Sequence, residues 1–270
     1  MKNIVLIIDF MNYVHRCRVG KLEGEYVLIY NFFRNLKSTV SQFKPCKLFF
    51  AMDGRPKHRY ALDSNYKANR IIKLANDERS KTINHVFESA GGIKNLLLCL
   101  PTTIIYHPDF EADDIIFSLC CDMPDENIVV ISSDSDFTQL LQTHQNCKVY
   151  NPIKKQYVEN PWYHYIAYKS LVGDKSDNIP SLVSEKAAQA LLSNPEKLNS
   201  FLNIEENRAR FSINRKLIEF VLIELNEENI ESGICDFDLL KQSFIKMEFK
   251  SLVDDKYWNN FTETFLEISG

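Results

Sequence analysis

The chain is notable first for what it lacks. Its longest apolar runs, such as residues 4–8 and 129–131, are far too short to span a bilayer. No signal-peptide pattern precedes the first of them, so the expected location is cytoplasmic, in the host cytoplasm if the source is viral. The seven cysteines are odd in number and contain no C-x-x-C pair, which fits free thiols in a reducing compartment. The six histidines form no H-E-x-x-H, which argues against a zinc site. There is no internal repeat and no low-complexity linker. Nor is there an excess of positive charge: the net charge of −4 argues at first against a nucleic-acid partner.

What is present suits an ordinary globular protein. A chain of 270 residues with 45% hydrophobic and 25% charged content can bury one large core, or one core with a helical appendage. Residues 4–8 read as a buried strand ending at Asp9, residues 10–20 as a connection, and residues 26–43 as a helix through Leu28, Phe32, Phe33, Leu36 and Val40. Residues 47–52 read as a second strand ending at Asp53-Gly54. Strand, helix and strand with acids at the strand ends is the pattern of a parallel α/β sheet.

Residues 55–88 change character, with Arg55, Lys57, Arg59, Lys67, Arg70, Lys73, Arg79 and Lys81 set against four acids, and Tyr60 and Tyr66 interleaved. Such a segment is either a solvated helical excursion or a surface that neutralises phosphates and offers aromatic faces to bases. After a third strand at residues 103–106, Ala112, Ile115, Ile116 and Leu119 mark the buried face of a helix. Glu111 and Asp114 are expected along one flank of that face, with Asp113 pointing elsewhere and reaching the same place only through water.

Residues 129–131 read as a buried strand followed by Asp134 and Asp136, with Asp136 the expected N-cap of a helix from Phe137. A lone D-x-D is usually a turn and a cap; acids from other strands at the same edge would change that. A hairpin is expected around residues 151–155, a helix over 161–171 with Gly173 as its C′ residue, and a short helix from Ser184. Beyond Pro195 the chain reads as wholly helical.

Asp9, Asp53, Glu111, Asp113, Asp114, Asp134, Asp136, Asp174 and Asp177 all fall at strand ends or helix starts. Oxygen-only donors select hard cations such as magnesium or manganese. Two unit charges ~5 Å apart repel by about 3 kcal/mol at an effective dielectric of 20, so such a set implies bound metal or raised pKa values. Setting these acids aside leaves 32 basic against 27 acidic residues, a mildly basic scaffold around an acidic pit. That distribution suits a phosphodiester substrate.

Six stretches in order resemble the 5′-nucleases, the flap endonuclease and 5′–3′ exonuclease family. They are Asp9, Asp53-Gly54-Arg55-Pro56, Tyr66-Lys67-Ala68-Asn69-Arg70, Glu111-Ala112-Asp113-Asp114, Ser133-Asp134-Ser135-Asp136-Phe137 and Gly173-Asp174-Lys175-Ser176-Asp177-Asn178-Ile179-Pro180. Within the family, residues 131–140 and 151–155 are most similar to the phage RNase H branch. The resemblance implies an α/β, PIN-like domain over residues 1–160 with a mainly parallel central sheet and a helical arch near 55–92. It also implies a helical DNA-binding region over 161–270. All nine acids would bind metal, two or more Mg2+ with Mn2+ as an alternative, with Asp134 and Asp136 bridging the two loci. Lys67 and Arg70 would contact the scissile phosphate. Arg55, Lys57, Arg59, Tyr66, Lys73, Lys175, Ser184 and Lys186 would contact nucleic acid, with Tyr66 stacking on a terminal base.

The family usually follows S-D-N-I-P with a glycine-rich turn. Here residues 181–186 contain no glycine, which leaves the family's K+ site and its grip on duplex DNA open. The implied function is 5′–3′ exonuclease action on DNA duplex and RNA–DNA hybrid together with 5′-flap cleavage, in primer removal. The implied partners are DNA with 5′ ends or flaps, RNA–DNA hybrids and replication proteins, with no membrane and a monomeric state. The alternatives are a PIN-type ribonuclease acting on single-stranded RNA and a non-cleaving, structure-specific DNA-binding protein. Residues 55–92 are expected to be mobile without DNA.

Overall fold

A computed structural model of the chain describes residues 3–18, 24–69 and 77–268. Arg70 and Lys73, and with them the middle of the expected arch, lie outside the described residues. Strands β1 (Ile4–Asp9), β2 (Lys47–Met52), β3 (Thr103–Tyr106), β4 (Asn127–Ile131), β5 (Cys147–Asn151), β6 (Gln156–Tyr157) and β7 (Ile230–Ser232) form a seven-stranded sheet in the order β6-β5-β4-β1-β2-β3-β7. The inner five run parallel, and β6 and β7 close the edges antiparallel.

The apolar alternation of β1 explains the layers. Leu6 and Ile8 point into one core with Phe32, Phe33 and Phe50, while Val5 and Ile7 point into the other with Ile115, Val130 and Phe137. A strand covered on both faces must be apolar throughout, as residues 5–8 are. The sheet reverses direction of growth at β1, with β2 on one side and β4 on the other. The crevice at the carboxyl ends of such strands is where open α/β sheets bind ligands. Register sharpens this: Asp9 pairs with Ala51, and Ile8 with Ile131, so Asp9, Asp53 and Asp134 leave the sheet within a few residues of one another.

Several expectations are corrected. Residues 10–20 do not merely connect: Phe10–Arg16 is a helix capped by Asp9 itself. Asp136 is not an N-cap; Asp134 caps the 3-10 turn Ser135–Phe137, accepting from the Asp136 N–H, and the helix Thr138–Thr143 follows.

The chain beyond Pro195 is not wholly helical. After the helix Glu205–Ile218 it runs extended along the helix Ala112–Asp122, where the Val221 N–H donates to Asp114 Oδ1 and the Ile223 N–H to Ser118 Oγ. It then pairs as β7 with the open edge of β3, which supplies the backbone partners an extended segment needs. The helices Phe237–Lys246 and Asp255–Leu266 place Phe244, Phe261 and Phe265 in the core that holds Phe32 and Phe33. Residues 161–270 therefore do not form one helical unit. The helices Tyr165–Val172, Glu185–Leu192, Pro195–Leu202 and Glu205–Ile218 form one helical portion, β7 joins the sheet, and the last helices pack into its core. No helix among the described residues is long and apolar enough to cross a membrane.

Candidate active site

Asp9, at the end of β1, is 6% exposed and accepts from the Asn12 N–H at 3.2 Å and from Ser132 Oγ at 2.9 Å. Asp53, one residue past β2, accepts from the Ala112 N–H at 3.0 Å, tying the β2 end to the start of the helix Ala112–Asp122. Gly54 makes this junction possible, because a Cβ there would lie 2.0 Å from the His107 carbonyl oxygen. Glu111 is the N-cap of that helix, in a capping box with Asp114. Asp9, Asp53, Glu111, Asp113 and Asp134 line one cleft of about 950 Å³, together with Asn12, His15, Tyr66 and Lys67.

Crowding of like charges shows in the protonation equilibria. Burial, and then the neighbouring Asp53 and Asp134, push the Asp9 carboxyl up to about 7 against the opposing bonds from Ser132 and Asn12. Asp113 is also raised well above the usual carboxylate range, by burial and by Asp134, Asp9 and Glu111, with Lys67 opposing. The expected orientation of the helical acids is thus reversed. Asp113 faces the cleft, whereas Asp114 is fully buried and turned to Arg59, which donates to both its oxygens. Successive residues on a helix point about 100° apart, and the Arg59 guanidinium decides which of the two turns inward.

The second group of acids is built by a tight loop. Gly173 (φ +70°) allows the chain to close on itself through reciprocal bonds between Asp174 and Ile179; a Cβ there would meet the Ile179 carbonyl oxygen at 2.5 Å. Asp174 accepts from the Ser176 N–H and Oγ, both at 2.7 Å, and from Lys169. Burial acts to raise its pKa, but the bonds from Lys169 and Ser176 outweigh it and hold the carboxyl down at about 2. Asp136 accepts from the Tyr165 hydroxyl at 2.8 Å and lies 3.3 Å from Lys169 Nζ. Burial and Asp134 nevertheless raise Asp136 to about 6.

Lys67 joins the two groups, and Lys169 links two acids within the second. Lys67 is ion-paired with Glu111 and lies 3.6 Å from Asp177, while Lys169 spans Asp136 and Asp174. Lys67 reaches this place from a left-handed backbone conformation (φ +55°), held by its N–H donating to the Asp177 carbonyl at 2.9 Å. Among the described residues, no three acids converge closely enough to grip an ion as the side chains stand. Lysines and raised pKa values do the neutralising. The donor set is nonetheless all oxygen, on four separate segments opening to one cleft, which fits hard divalent cations.

The expected nucleic-acid contacts divide. Arg55 lines the cleft with its guanidinium over the Tyr60 ring, and Lys57 is exposed and ion-paired with Asp109 at 2.8 Å. Lys175, Ser184 and Lys186 are exposed, with Ser184 capping the helix Glu185–Leu192. Arg59 and Tyr66 are corrections. Arg59 is 2% exposed inside the protein, and Tyr66 is 4% exposed with its hydroxyl donating to Glu111 at 2.9 Å, so neither has a free face for nucleic acid. Sequence reasoning missed Lys169, Asn12, Ser132 and Tyr165. Each is an ordinary helix or loop residue by spacing, and only the fold brings it to an acid.

Residues 4–167 match the family described as 5'-3' exonuclease, N-terminal resolvase-like domain. DNA polymerase I of Caldicellulosiruptor bescii is 29% identical over 261 residues, covering 83% of this chain and 29% of that protein. A 5'-3' exonuclease of Aquifex aeolicus is 28% identical over 257 residues, covering 84% of each. The chain spans less than a third of the length of the polymerases it matches first. Among solved structures, the bacteriophage T5 flap endonuclease, in a pseudo-enzyme-product complex with DNA and metal ions, shares the fold with a TM-score of 0.67 at 16% identity, covering 98% of both chains. The matched family and this neighbour are nucleases, a class of phosphodiester hydrolase.

Proposed function

The chain belongs to the 5′–3′ exonuclease family with a resolvase-like N-terminal domain, and on that premise we propose that it is a metal-dependent 5′-nuclease. It hydrolyses phosphodiesters at 5′ ends of DNA duplex and RNA–DNA hybrid and cleaves 5′ flaps, in the removal of replication primers. The observation that carries this reading is the cleft in which Asp9, Asp53, Glu111, Asp113 and Asp134 meet beside Lys67.

Asp9, Asp53, Glu111, Asp113 and Asp134 would hold a first Mg2+ or Mn2+, and Asp136, Asp174 and Asp177 a second. Asp114 is left out because Arg59 and backbone N–H groups take both its oxygens. When bound, a pair of divalent cations supplies Lewis acidity toward the attacking and leaving oxygens of an in-line displacement. The chain's own contribution is charge and position. Lys67, at the cleft wall, moves from its acid partners to the scissile phosphate, and Arg70 acts with it. Arg55 and Lys57 sit where the strand enters, while Lys175, Ser184 and Lys186 meet duplex backbone. Residues 1–160 supply the catalytic body, and residues 165–218 the duplex-binding helices.

The test is cleavage by the purified protein with Mg2+ of 5′-labelled flap, nicked-duplex and RNA–DNA substrates. Products shortened from the 5′ end, lost on chelation by EDTA, are expected. No cleavage of any of the three overturns the reading.

A further inference from the structure

Arg59 sits in the helix Lys57–Leu62, inside the basic segment the sequence marks for phosphate contact, yet it is 2% exposed. Its guanidinium uses all five N–H donors inside the protein. Nη1 donates to Asp114 Oδ2 at 2.6 Å and Glu111 Oε2 at 3.0 Å, Nη2 to Asp114 Oδ1 at 2.8 Å and the Glu219 carbonyl at 3.4 Å, and Nε to the Leu217 carbonyl at 3.0 Å. Three separate segments therefore meet on one planar fork: the helix Lys57–Leu62, the start of the acid-bearing helix, and the stretch leaving the helix Glu205–Ile218.

Asp114 completes the junction. Its Oδ1 also accepts from the Val221 N–H at 3.1 Å and its Oδ2 from the Glu111 N–H at 3.4 Å, so neither oxygen faces the cleft. Glu111 is divided between two roles. Its Oε2 accepts from Arg59 and Tyr66, while its Oε1 meets Lys67 at the cleft wall. The side chain that would present an oxygen to a cation is thus oriented from behind by Arg59.

We infer that Arg59 is a positioning residue that acts through Glu111 and Asp114. It fixes the acid-bearing helix against the helix Lys57–Leu62 and against residues 217–221, and so sets the geometry in which the cleft acids receive cations. This rests on the metal-dependent nuclease reading. A lysine could restore the charge but not the planar, five-donor geometry that links three segments. Removing the cation alone would leave Asp114 buried and uncompensated, whereas replacing both partners by apolar residues removes that penalty.

The test compares Arg59→Lys, Arg59→Met and the paired change Arg59→Met with Asp114→Leu. Three quantities are read: the melting temperature by circular dichroism, the Mg2+ concentration giving half the metal-induced rise in melting temperature without DNA, and kcat and KM on a 5′-flap. Arg59→Lys is expected to fold, to keep KM within about threefold, to lose about tenfold or more in kcat, and to need several-fold more Mg2+. The apolar pair is expected to fold and to show the same loss of kcat and of Mg2+ response, because it fills the space without orienting Glu111. If Arg59→Met alone does not fold, these two variants decide. Wild-type kcat and Mg2+ response in either overturns the inference. So does a rise in KM with kcat unchanged, which would make Arg59 a substrate contact. If the wild type cleaves nothing, the nuclease reading fails, and the Mg2+ response of the free protein decides this inference alone.

Discussion

Lys169 is ion-paired with Asp174 and at the same time lies 3.3 Å from Asp136, so one ammonium stands between two acids that come from different segments of the chain. Asp136 leaves the sheet after β4, and Asp174 belongs to the loop closed by Gly173. A cation bound to both acids would meet that ammonium as a competitor. Lys169→Met is therefore expected to lower the metal-free melting temperature, by an amount corresponding to about 2 kcal/mol for a lost charge-assisted bond. It is also expected to enlarge the rise in melting temperature produced by Mg2+. An unchanged Mg2+ response would show that Lys169 and the metal do not share the locus.

Asp134 stands at the cleft beside Asp9 and Asp113, and its alanine variant should fold while losing activity. A barrier raised by about 4 kcal/mol corresponds to roughly a thousandfold in rate. Single-turnover cleavage of a 5′-flap at saturating Mg2+ measures it, and full activity in Asp134→Ala would remove the cleft from the mechanism.

The raised carboxyls make metal-free stability depend on pH in a defined direction. Asp9 is pushed up to about 7 and Asp136 to about 6, so between the ordinary carboxylate range and those values the folded state binds more protons than the unfolded one. Stability then falls as pH rises through that window, and levels off above about 7. In EDTA, the melting temperature should drop between pH 5 and 7 (about the window set by these two groups). Mg2+ competes with the same protons, so its stabilising effect should grow with pH. A metal-free melting temperature that rises over this range would contradict the crowding of Asp9, Asp53 and Asp134.

Tyr66 acts through its hydroxyl, which donates to Glu111 at 2.9 Å and lies 3.3 Å from Asp177. Tyr66→Phe keeps the buried ring and removes the hydroxyl that donates to Glu111 beside Asp177, a loss of about 1.5–3 kcal/mol for a charged acceptor. Tyr66→Ala adds a cavity and should cost about 3–5 kcal/mol. Denaturant unfolding of the two variants separates the terms; if Tyr66→Phe matched the wild type in both stability and cleavage, the hydroxyl would have no role.

Gly54→Ala tests the junction behind Asp53. The added Cβ would fall 2.0 Å from the His107 carbonyl oxygen and 2.7 Å from that of Phe110, both backbone atoms that cannot swing aside. The variant should be destabilised by about 1–3 kcal/mol through overpacking and should lose cleavage through the displaced Asp53. A melting temperature equal to the wild type's would mean that the loops after β2 and β3 are not locked together.

Much of the sheet that carries the cleft was legible in the sequence. Apolar runs with acids shortly after them located β1, β2 and β4, and the parallel pattern by itself implied a shared edge. The acids that follow those runs were legible as candidates for one cleft, and Asp9, Asp53 and Asp134 do line it together. What local pattern could not decide was the direction of neighbouring side chains. Asp113 and Asp114 look alike in sequence, and Arg59 is one cation among eight in its segment. Only tertiary packing turns Asp114 onto Arg59 and leaves Asp113 in the cleft, because a buried guanidinium must find its partners wherever the chain brings them. The same holds for residues 230–232, whose pairing partner is a strand more than 120 residues earlier (β3, from Thr103 to Tyr106). The sequence by itself determined the parallel strands β1, β2 and β4 and the acids at or just past their ends. The tertiary structure decided which of those acids face the cleft and which cations hold them, since burial and charge pairing depend on neighbours distant in the chain.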